Sequence, residues 1–180
     1  MNRMAVFVSG RGSNLQALLD QEGCNIRLVC SHKAKIPADV KAKRFRIPVF
    51  KTKKIDFAEW ALELKKKRIK RIFLLGFMRL IPAEFVASWQ NAMLNVHPSL
   101  LPLFPGLNAL ENSFNQRAKM GVTIHKVVPE MDAGQIVSQS MVLSDSDYST
   151  DPELNNFKTA AFKMTFREHY LVRRVGEKWN

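Results

Sequence analysis

Two polar residues that could carry out chemistry stand at the end of an apolar segment. The stretch NVHPSLLPLFPG runs from Asn95 to Gly106 and directly follows the apolar residues AML. Residues i and i+2 of a strand share one face, so Asn95 and His97 should point the same way. An amide and an imidazole there can donate hydrogen bonds to a developing oxyanion, and the histidine can move protons near neutral pH. A histidine alone is more often structural, but this pair before a proline-rich loop favours a functional site.

Asp132, in the segment PEMDAGQIV, is the carboxylate that could assist this pair. An Asp followed by a small residue and Gly is by itself typical of a turn. If Asp132 faces His97, however, its charge would stabilise the protonated imidazole. His125, in VTIHKVV, alternates with apolar residues, which favours a satisfied core histidine. His32 and His169 form no pattern of their own, and the spacing of the histidines predicts no metal site.

A glycine-containing loop, SGRGSN at Ser9–Asn14, joins the first apolar segment to the first helical one. Glycines permit a tight turn and a close approach of a ligand, while Ser13 and Asn14 are good residues for capping a helix. Free N–H groups at a helix start can bind phosphate. A dinucleotide fingerprint would need Gly at Leu15 and an acid after the second strand, where SHK stands, so a nicotinamide cofactor is excluded. A phosphate site and a structural turn both remain open.

The elements that must position these residues alternate between strand and helix. Strand-type segments are MAVFVS, NIRLVCS, PVFKT, RIFLLGF, AMLNV, VTIHKVV and QIVSQSMVL. Helices are predicted at Leu15–Leu19, Pro37–Phe45, Phe57–Leu64, Pro82–Trp89, Leu107–Phe114 and Leu154–Met164. The alternation predicts an α/β fold with a Rossmann-like, open, mostly parallel sheet, helices on both faces, and an antiparallel addition near the C-terminal part. In such sheets ligands bind beyond the carboxyl ends of the strands, where Asn95 and His97 fall.

The composition is that of a globular protein with an unusual charge. Hydrophobic residues make up 46% of the 180 residues, and 28 basic against 16 acidic residues give a net charge of +12. This charge favours anionic partners such as phosphates, polycarboxylates or nucleic acid, although a solvated basic surface explains it equally well.

No apolar run approaches the roughly 20 residues of a membrane helix, and the N-terminus lacks a signal-peptide core. Because Cys24 and Cys30 lack metal-ligand spacing, the sequence predicts a cytoplasmic protein with reduced thiols.

Five segments together resemble those of phosphoribosylglycinamide formyltransferases, the folate-dependent enzymes of purine synthesis. They are SGRGSNLQAL, LLGFMRLIP, NVHPSLLPLFPGLNAL, GVTIHKV and EMDAGQIVSQ, and they follow the order and approximate spacing of that family. The resemblance extends from Met4 to about Val175. The combination is highly specific, although HPSLLP alone is shared among folate-dependent formyltransferases. The resemblance implies one formyltransferase domain over residues 1–180, with the α/β fold of that family.

The resemblance also implies a reaction and the residues that carry it. The amine of glycinamide ribonucleotide would attack the formyl carbon of 10-formyltetrahydrofolate, the co-substrate, and a tetrahedral oxyanion would collapse to the formylated amide and tetrahydrofolate. Asn95 and His97 would stabilise the oxyanion, and His97 would also transfer a proton as a general acid. Asp132 would orient His97, stabilise its protonated ring and help a water molecule to carry the proton. The chemistry requires no metal.

Two binding regions are implied in the same way. The phosphate and ribose of glycinamide ribonucleotide would contact Gly12, Ser13, Asn14, Thr165 and Glu168. Folate would contact two loops and one basic residue, namely Lys54, Met78, Arg79, Leu80, Ile81, Asn95, Val128, Pro129, Glu130, Met131 and Asp132. Lys53 is as near as Lys54 for the basic contact. Leu74, Phe77 and Val86 would line the pterin slot or simply pack in the core. The family usually has Gly before IPV, where Arg46 stands, so we expect that turn to be built differently.

Three other functions compete with this one. Methionyl-tRNA formyltransferase would suit the charge of +12, but it carries an additional C-terminal domain that 180 residues cannot hold. Formyltetrahydrofolate hydrolase normally has an N-terminal regulatory domain. A catalytically silent module could bind nucleic acid through its basic face, but the presence of Asn95, His97 and Asp132 argues against it. We therefore expect small-molecule partners, no membrane, no nucleic acid, and a monomer or homodimer.

Overall fold

A single seven-stranded sheet forms the centre of the computed structural model, which describes residues 2–52 and 54–179. The strands are β1 (Met4–Val8), β2 (Ile26–Ser31), β3 (Val49–Lys51), β4 (Arg71–Leu74), β5 (Met93–His97), β6 (Met120–Lys126) and β7 (Ile136–Leu143). Their spatial order is β3-β2-β1-β4-β5-β6-β7. The first five strands pair in parallel, whereas β6 is antiparallel to β5 and β7 is antiparallel to β6. The predicted mostly parallel sheet with an antiparallel addition is confirmed.

Helices cover both faces of the sheet. They are α1 (Ser13–Leu19), α2 (Pro37–Arg44), α3 (Phe57–Lys66), α4 (Ala83–Ser88), α5 (Ala109–Asn115), α6 (Asp147–Thr150) and α7 (Phe157–Trp179). One core cluster joins α1, α2 and α7 to the sheet, and the other joins α3 and α4 to the opposite face. Successive residues of β1 alternate between the clusters, since Val6 belongs to the first and Phe7 to the second. Burial on both faces explains why the central strands are continuously apolar.

The parallel arrangement brings the carboxyl ends of five strands to one edge of the sheet. The residues after β1, β2 and β4 and the last residue of β5 therefore lie along this edge, which we call the carboxyl edge. The order of strands in the sheet changes direction at β1. The strands β2 and β3 lie on one side of β1, and β4 and the later strands lie on the other. Ligands of open α/β sheets bind at such a point.

The structure corrects several local predictions. Leu107 lies before α5 and is 77% exposed, so it belongs to no helical stripe. Leu154 lies in a separate 3-10 helix, Pro152–Asn155, and α7 begins only at Phe157. Arg46 has a φ of 57°, the left-handed conformation that glycine adopts freely, so an arginine occupies a glycine-type turn here. The short helix α6 had no apolar periodicity to indicate it.

None of the helices within residues 2–52 and 54–179 is both long enough and apolar enough to cross a membrane.

Candidate active site

Asn95 and His97 lie on the last half of β5, at the carboxyl edge. Leu94 and Val96 alternate with them and pack into the first core cluster. Asn95 pairs with His125 and His97 with Thr123 on the antiparallel neighbour β6, so these four side chains share one face of the sheet. The shared face that the sequence predicts for Asn95 and His97 is therefore present, and both side chains reach the same carboxylate.

Asp132 is that carboxylate, and it lies at the centre of a polar cluster. Its Oδ2 is 3.3 Å from Nδ1 of His97 and accepts a hydrogen bond from the backbone N–H of Gly106 at 2.8 Å. Its Oδ1 is 3.4 Å from Nε2 of His125 and 3.4 Å from Nδ2 of Asn95. We call Asn95, His97, His125 and Asp132 the polar cluster. The arrangement brings together all three residues that the sequence predicts to be catalytic.

Both ring nitrogens of His97 face hydrogen-bond acceptors. Its Nε2 lies 2.8 Å from the backbone oxygen of Phe104, and its Nδ1 faces Asp132. Both partners are acceptors, so only the doubly protonated ring can donate to both of them. Asp132 thus supplies the negative charge next to a ring that can carry a positive one.

His125 is buried, as the sequence predicts, but its ring belongs to the polar cluster rather than only to the core. Its Nδ1 lies 2.9 Å from the backbone oxygen of Lys126, and its Nε2 faces Oδ1 of Asp132. Nδ2 of Asn95 lies 3.2 Å from that Nε2 and 3.4 Å from Asp132. The amide of Asn95 therefore lies beside both the His125 ring and Asp132. The apolar alternation around His125 indicated burial and concealed this contact.

Asp132 stays ionised despite its half-buried position. Burial on its own raises the pKa of the carboxyl group, but the hydrogen bonds from His125 and Gly106 and the charges of His97 and His125 outweigh it, so its pKa is lowered. Its own backbone is left-handed, with a φ of 51°. Such a conformation costs free energy for a residue other than glycine and clusters at functional sites.

A rigid loop after β5 holds His97 from one side. Ser99 Oγ donates to the backbone oxygen of Leu103 at 2.6 Å, and Thr123 Oγ1 donates to the backbone oxygen of Ser99 at 2.7 Å. The backbone N–H of Leu101 in turn donates to Thr123 Oγ1 at 3.1 Å. These bonds tie the proline-rich loop to β6 and place the Phe104 carbonyl on His97. The proline-rich loop is thus supported by β6.

Gly134 fixes the loop that carries Asp132. A Cβ atom at this position would lie 1.7 Å from the backbone oxygen of Lys126, which cannot move without disturbing β6. Gly134→Ala should therefore destabilise the protein by roughly 1–3 kcal/mol and displace Asp132. Urea unfolding measures the first effect, and turnover measures the second. Gly10→Ala is the matched stability control, because a Cβ there meets nothing within 4 Å. Equal midpoints for the two variants would contradict this packing argument.

The glycine loop begins α1 in a different way from the predicted cap. Gly12 is the N-cap residue with a φ of 66°, no side chain caps the helix, and a Cβ at Gly12 would meet Cβ of Ala38 at 2.7 Å. Asn14 points instead to α7, where its Nδ2 donates to Oε2 of Glu168 at 2.9 Å. Its Oδ1 is buried and has no partner among the described residues. Of the predicted substrate contacts, the structure thus joins Asn14 and Glu168 across 154 residues.

Glu168 and Thr165 are half-buried residues of α7. Burial raises the pKa of Glu168, and the hydrogen bond from Asn14 lowers it by a smaller amount. The Thr165 hydroxyl donates to the backbone oxygen of Ala161 at 2.9 Å, so its contact is local. A half-buried carboxylate beside an unpartnered amide oxygen is suited to binding hydroxyl groups.

The loop after β4 presents apolar side chains to solvent. Met78 is 71% exposed and Leu80 is 77% exposed, whereas Ile81 packs against the second core cluster. The N–H of Met78 donates to Oγ of Ser9 at 2.8 Å, which ties this loop to the end of β1. Large exposed apolar residues on a loop held at the carboxyl edge are typical of a binding surface.

The other predicted folate contacts lie in two places. Val128, Pro129, Glu130 and Met131 form the loop between β6 and β7, next to Asp132. Lys54 lines an open groove of about 850 Å³ with Pro82 and the start of α3, while Lys53 lies outside the described residues. Leu74 and Val86 are buried, and Phe77 packs on Phe7 and Trp60, which agrees with core packing for all three.

Within the two described segments, no group of three or more His, Cys, Asp or Glu residues could hold a metal ion.

Comparison with known proteins gives consistent matches. The family described as Formyl transferase matches residues 2–166. The phosphoribosylglycinamide formyltransferase of Bacillus subtilis is 33% identical over 159 residues, which cover 81% of this chain and 81% of that protein. The human trifunctional purine biosynthetic protein adenosine-3 is 39% identical over 153 residues, which are 78% of this chain but only 15% of the human protein. The crystal structure of phosphoribosylglycinamide formyltransferase from Anaplasma phagocytophilum has a TM-score of 0.85 at 32% identity and covers 96% of this chain and 84% of that chain.

Proposed function

Because the chain belongs to the family of phosphoribosylglycinamide formyltransferases, we propose that it transfers the formyl group of 10-formyltetrahydrofolate to the amine of N1-(5-phosphoribosyl)glycinamide. This reaction is a step of de novo purine synthesis. The observation that carries the proposal is the polar cluster, in which Asp132 contacts both Asn95 and His97 at the carboxyl edge. Formyl transfer needs oxyanion donors and a route for one proton, and the cluster supplies both.

The oxyanion is stabilised by an exchange of hydrogen bonds. The amine attacks the formyl carbon, a C–N bond forms, and the carbonyl oxygen becomes an alkoxide. Nε2 of His97 donates to the neutral carbonyl of Phe104, and an alkoxide is a stronger acceptor than a neutral carbonyl. The N–H of His97 therefore gains most when charge develops, which is a stabilisation of the transition state rather than of the substrate, and an N–H of Asn95 joins it at the oxyanion.

The proton balance of the reaction also uses His97. The attacking amine loses a proton, and the folate nitrogen gains one as its C–N bond breaks and tetrahydrofolate leaves. His97 acts as general acid for the leaving nitrogen, and Asp132 stabilises the charged ring before the transfer. A water molecule assisted by Asp132 carries the proton of the amine back to His97, which restores the protonated ring. Every step is completed by groups of this chain, the two substrates and this water molecule.

The acceptor binds between the glycine loop and α7. Its phosphate contacts the backbone of Gly12, Ser13 and Asn14, and its ribose contacts Glu168, with Thr165 nearby. The unpartnered Oδ1 of Asn14 supports this placement, because a buried acceptor without a donor costs free energy that a ligand hydroxyl would recover. The substrate thereby completes a contact that the described residues leave incomplete.

The donor binds at the loop that contains Met78, Leu80 and Ile81 and at the loop from Val128 to Asp132. Backbone groups hold the pterin, and the exposed side chains of Met78 and Leu80 become covered. Lys54 meets the anionic tail. The proposal also includes three further statements. The chain forms a single formyltransferase domain, it works in the cytoplasm as a monomer or homodimer, and it does not bind nucleic acid.

The choice of acceptor separates this function from its rivals. The protein should release tetrahydrofolate when it is mixed with 10-formyltetrahydrofolate and glycinamide ribonucleotide, and the change in absorbance of the folate follows the release. Parallel reactions contain charged initiator tRNA or no acceptor. Release with the tRNA alone would assign the protein to methionyl-tRNA formylation, and release without an acceptor would assign it to hydrolysis. Either result would overturn the proposal.

A further inference from the structure

His32, a histidine outside the polar cluster, bridges three elements at the carboxyl edge. It follows β2, and its Nε2 accepts a hydrogen bond from Nε of Arg79 at 3.3 Å. Its Nδ1 lies 3.5 Å from Oγ of Ser9, which follows β1, and Ser9 Oγ also accepts the N–H of Met78 at 2.8 Å. The ring edge of His32 packs against Phe77, with 5.7 Å between ring centroids. One imidazole thus connects the ends of β1 and β2 to the loop after β4.

The backbone on both sides of His32 is anchored independently of that ring. Ser31 Oγ donates to Oδ1 of the buried Asp39 at 3.0 Å. Lys51 forms an ion pair with Asp39 and donates to the backbone oxygen of Lys33 at 3.1 Å. The chain from Ser31 to Lys33 is therefore held by α2 and β3. A ring carried on such a fixed segment can act as a support for an exposed partner.

Arg79 is the partner that depends on this support. It lies on the exposed loop after β4, and within residues 2–52 and 54–179 no carboxylate lies in ion-pair distance of its guanidinium. A guanidinium has no acceptor atom, so the bond requires an unprotonated Nε2 on His32. The proton of the neutral ring is then on Nδ1, where it points to Ser9. Nε of Arg79 is occupied by His32, and the terminal amino groups can face a ligand.

We propose that His32 is a positioning residue of the donor site, whose neutral ring holds the Arg79 guanidinium in place for an anionic group of the folate donor. This inference rests on the proposed function, because it takes the loop of Arg79 to be the donor loop. His32 touches neither substrate and acts only through Arg79 and Ser9. Arginine pairs strongly with carboxylates when its planar group is held in one orientation, because less side-chain entropy is then lost on binding.

The bridge should respond to pH in one direction. The pKa of His32 is lowered by burial and then by the positive charges of Arg79 and Lys33, so the ring is neutral at pH 7. The other described groups that face it, Ser9 and Phe77, carry no charge. As pH falls through the lowered pKa, Nε2 gains a proton, the bond to Arg79 is lost, and two cations stand next to each other. Affinity for the donor should fall in the same range.

Variants at position 32 test this role by their effect on donor binding. His32→Ala should raise the KM for 10-formyltetrahydrofolate by about tenfold, the effect of one hydrogen bond to a charged group, and leave the KM for glycinamide ribonucleotide unchanged. His32→Gln keeps an oxygen that can accept from Arg79 but cannot titrate. This variant should restore most of the affinity for the donor. Its kcat/KM for the donor should also no longer show the decrease at low pH that protonation of His32 causes in the wild type. Lys33→Ala is the matched control and should leave donor affinity unchanged at alkaline pH, where the His32 ring is neutral with or without the charge of Lys33.

Two results would overturn the inference. One is a donor KM for His32→Ala equal to that of the wild type, and the other is an unchanged acid-side loss in His32→Gln. A measurement without substrate separates this inference from the proposed function. Nitrogen-15 NMR of the imidazole should show unprotonated Nε2 at neutral pH, and Arg79→Gln should raise the pKa of His32. If that shift occurs but the wild type formylates no glycinamide ribonucleotide, the proposed function fails while the bridge stands.

Discussion

Replacing His97 with alanine should reduce turnover by roughly 1,000-fold, because the variant loses an oxyanion donor and a general acid at once. His97 is buried, and its ring contacts Asp132 and the carbonyl of Phe104. Folate affinity should persist, since the donor is proposed to bind the loops of Met78 and of Val128 through other groups. Turnover is measured by tetrahydrofolate release, and binding is measured by calorimetry with folate.

Two further variants separate chemistry from folding in the His97 experiment. Ser99→Ala removes a hydrogen bond of the same loop without touching the polar cluster, so it reports how much a disturbed loop alone affects turnover. His97→Gln retains a polar side chain and should fold better than His97→Ala while still lacking the general acid. Turnover of His97→Ala close to that of the wild type would remove this residue from the mechanism.

Asp132→Asn should lower turnover on the order of 100-fold or more, although the side chain keeps its shape. Asparagine can still accept the N–H of Gly106, but it brings no negative charge to His97 or His125. The protonated ring of His97 then loses its stabilising partner, and the amide hydrogens compete for the acceptor positions. Turnover of the variant and of the wild type, measured by tetrahydrofolate release, checks this loss.

The same substitution should change stability in acid. Folding lowers the pKa of Asp132, so its ionised form stabilises the folded state above the ordinary aspartate value of about 3.9. This contribution is lost as the pH falls through the lowered pKa. The thermal midpoint of Asp132→Asn should therefore depend less on pH in that range than the midpoint of the wild type.

Asp147→Asn is a matched control for both effects. Hydrogen bonds from Ser144 lower the pKa of Asp147 as well, but this residue lies in α6 and has no contact with the polar cluster among the described residues. It should alter acid stability and leave turnover unchanged. A loss of turnover in Asp147→Asn as large as that in Asp132→Asn would mean that charge removal in general, and not the polar cluster, causes the effect.

The sequence predicted the fold and the central residues because both depend on local patterns. Continuous apolar segments separated by helical stripes indicate a sheet that is buried on both faces, as β1 and β4 are. Asn95 and His97 are two residues apart, so they lie on the same face of any strand that contains both of them. The five motifs that resemble the family extend this information to the order of elements. The predicted cap of α1 failed because Gly12 and the contact of Asn14 with Glu168 replace it.

What the sequence indicated by itself was which polar residues could carry out chemistry and the edge of the sheet to which they belong. The tertiary structure alone decided their partners. His125 joins Asp132 through the register of β5 and β6, and Gly106 reaches it through a loop with left-handed residues. His32 meets Arg79 because two distant loops end at the same edge. Periodicity encodes which face of an element is buried, whereas these contacts depend on register and loop conformation, which no local pattern specifies.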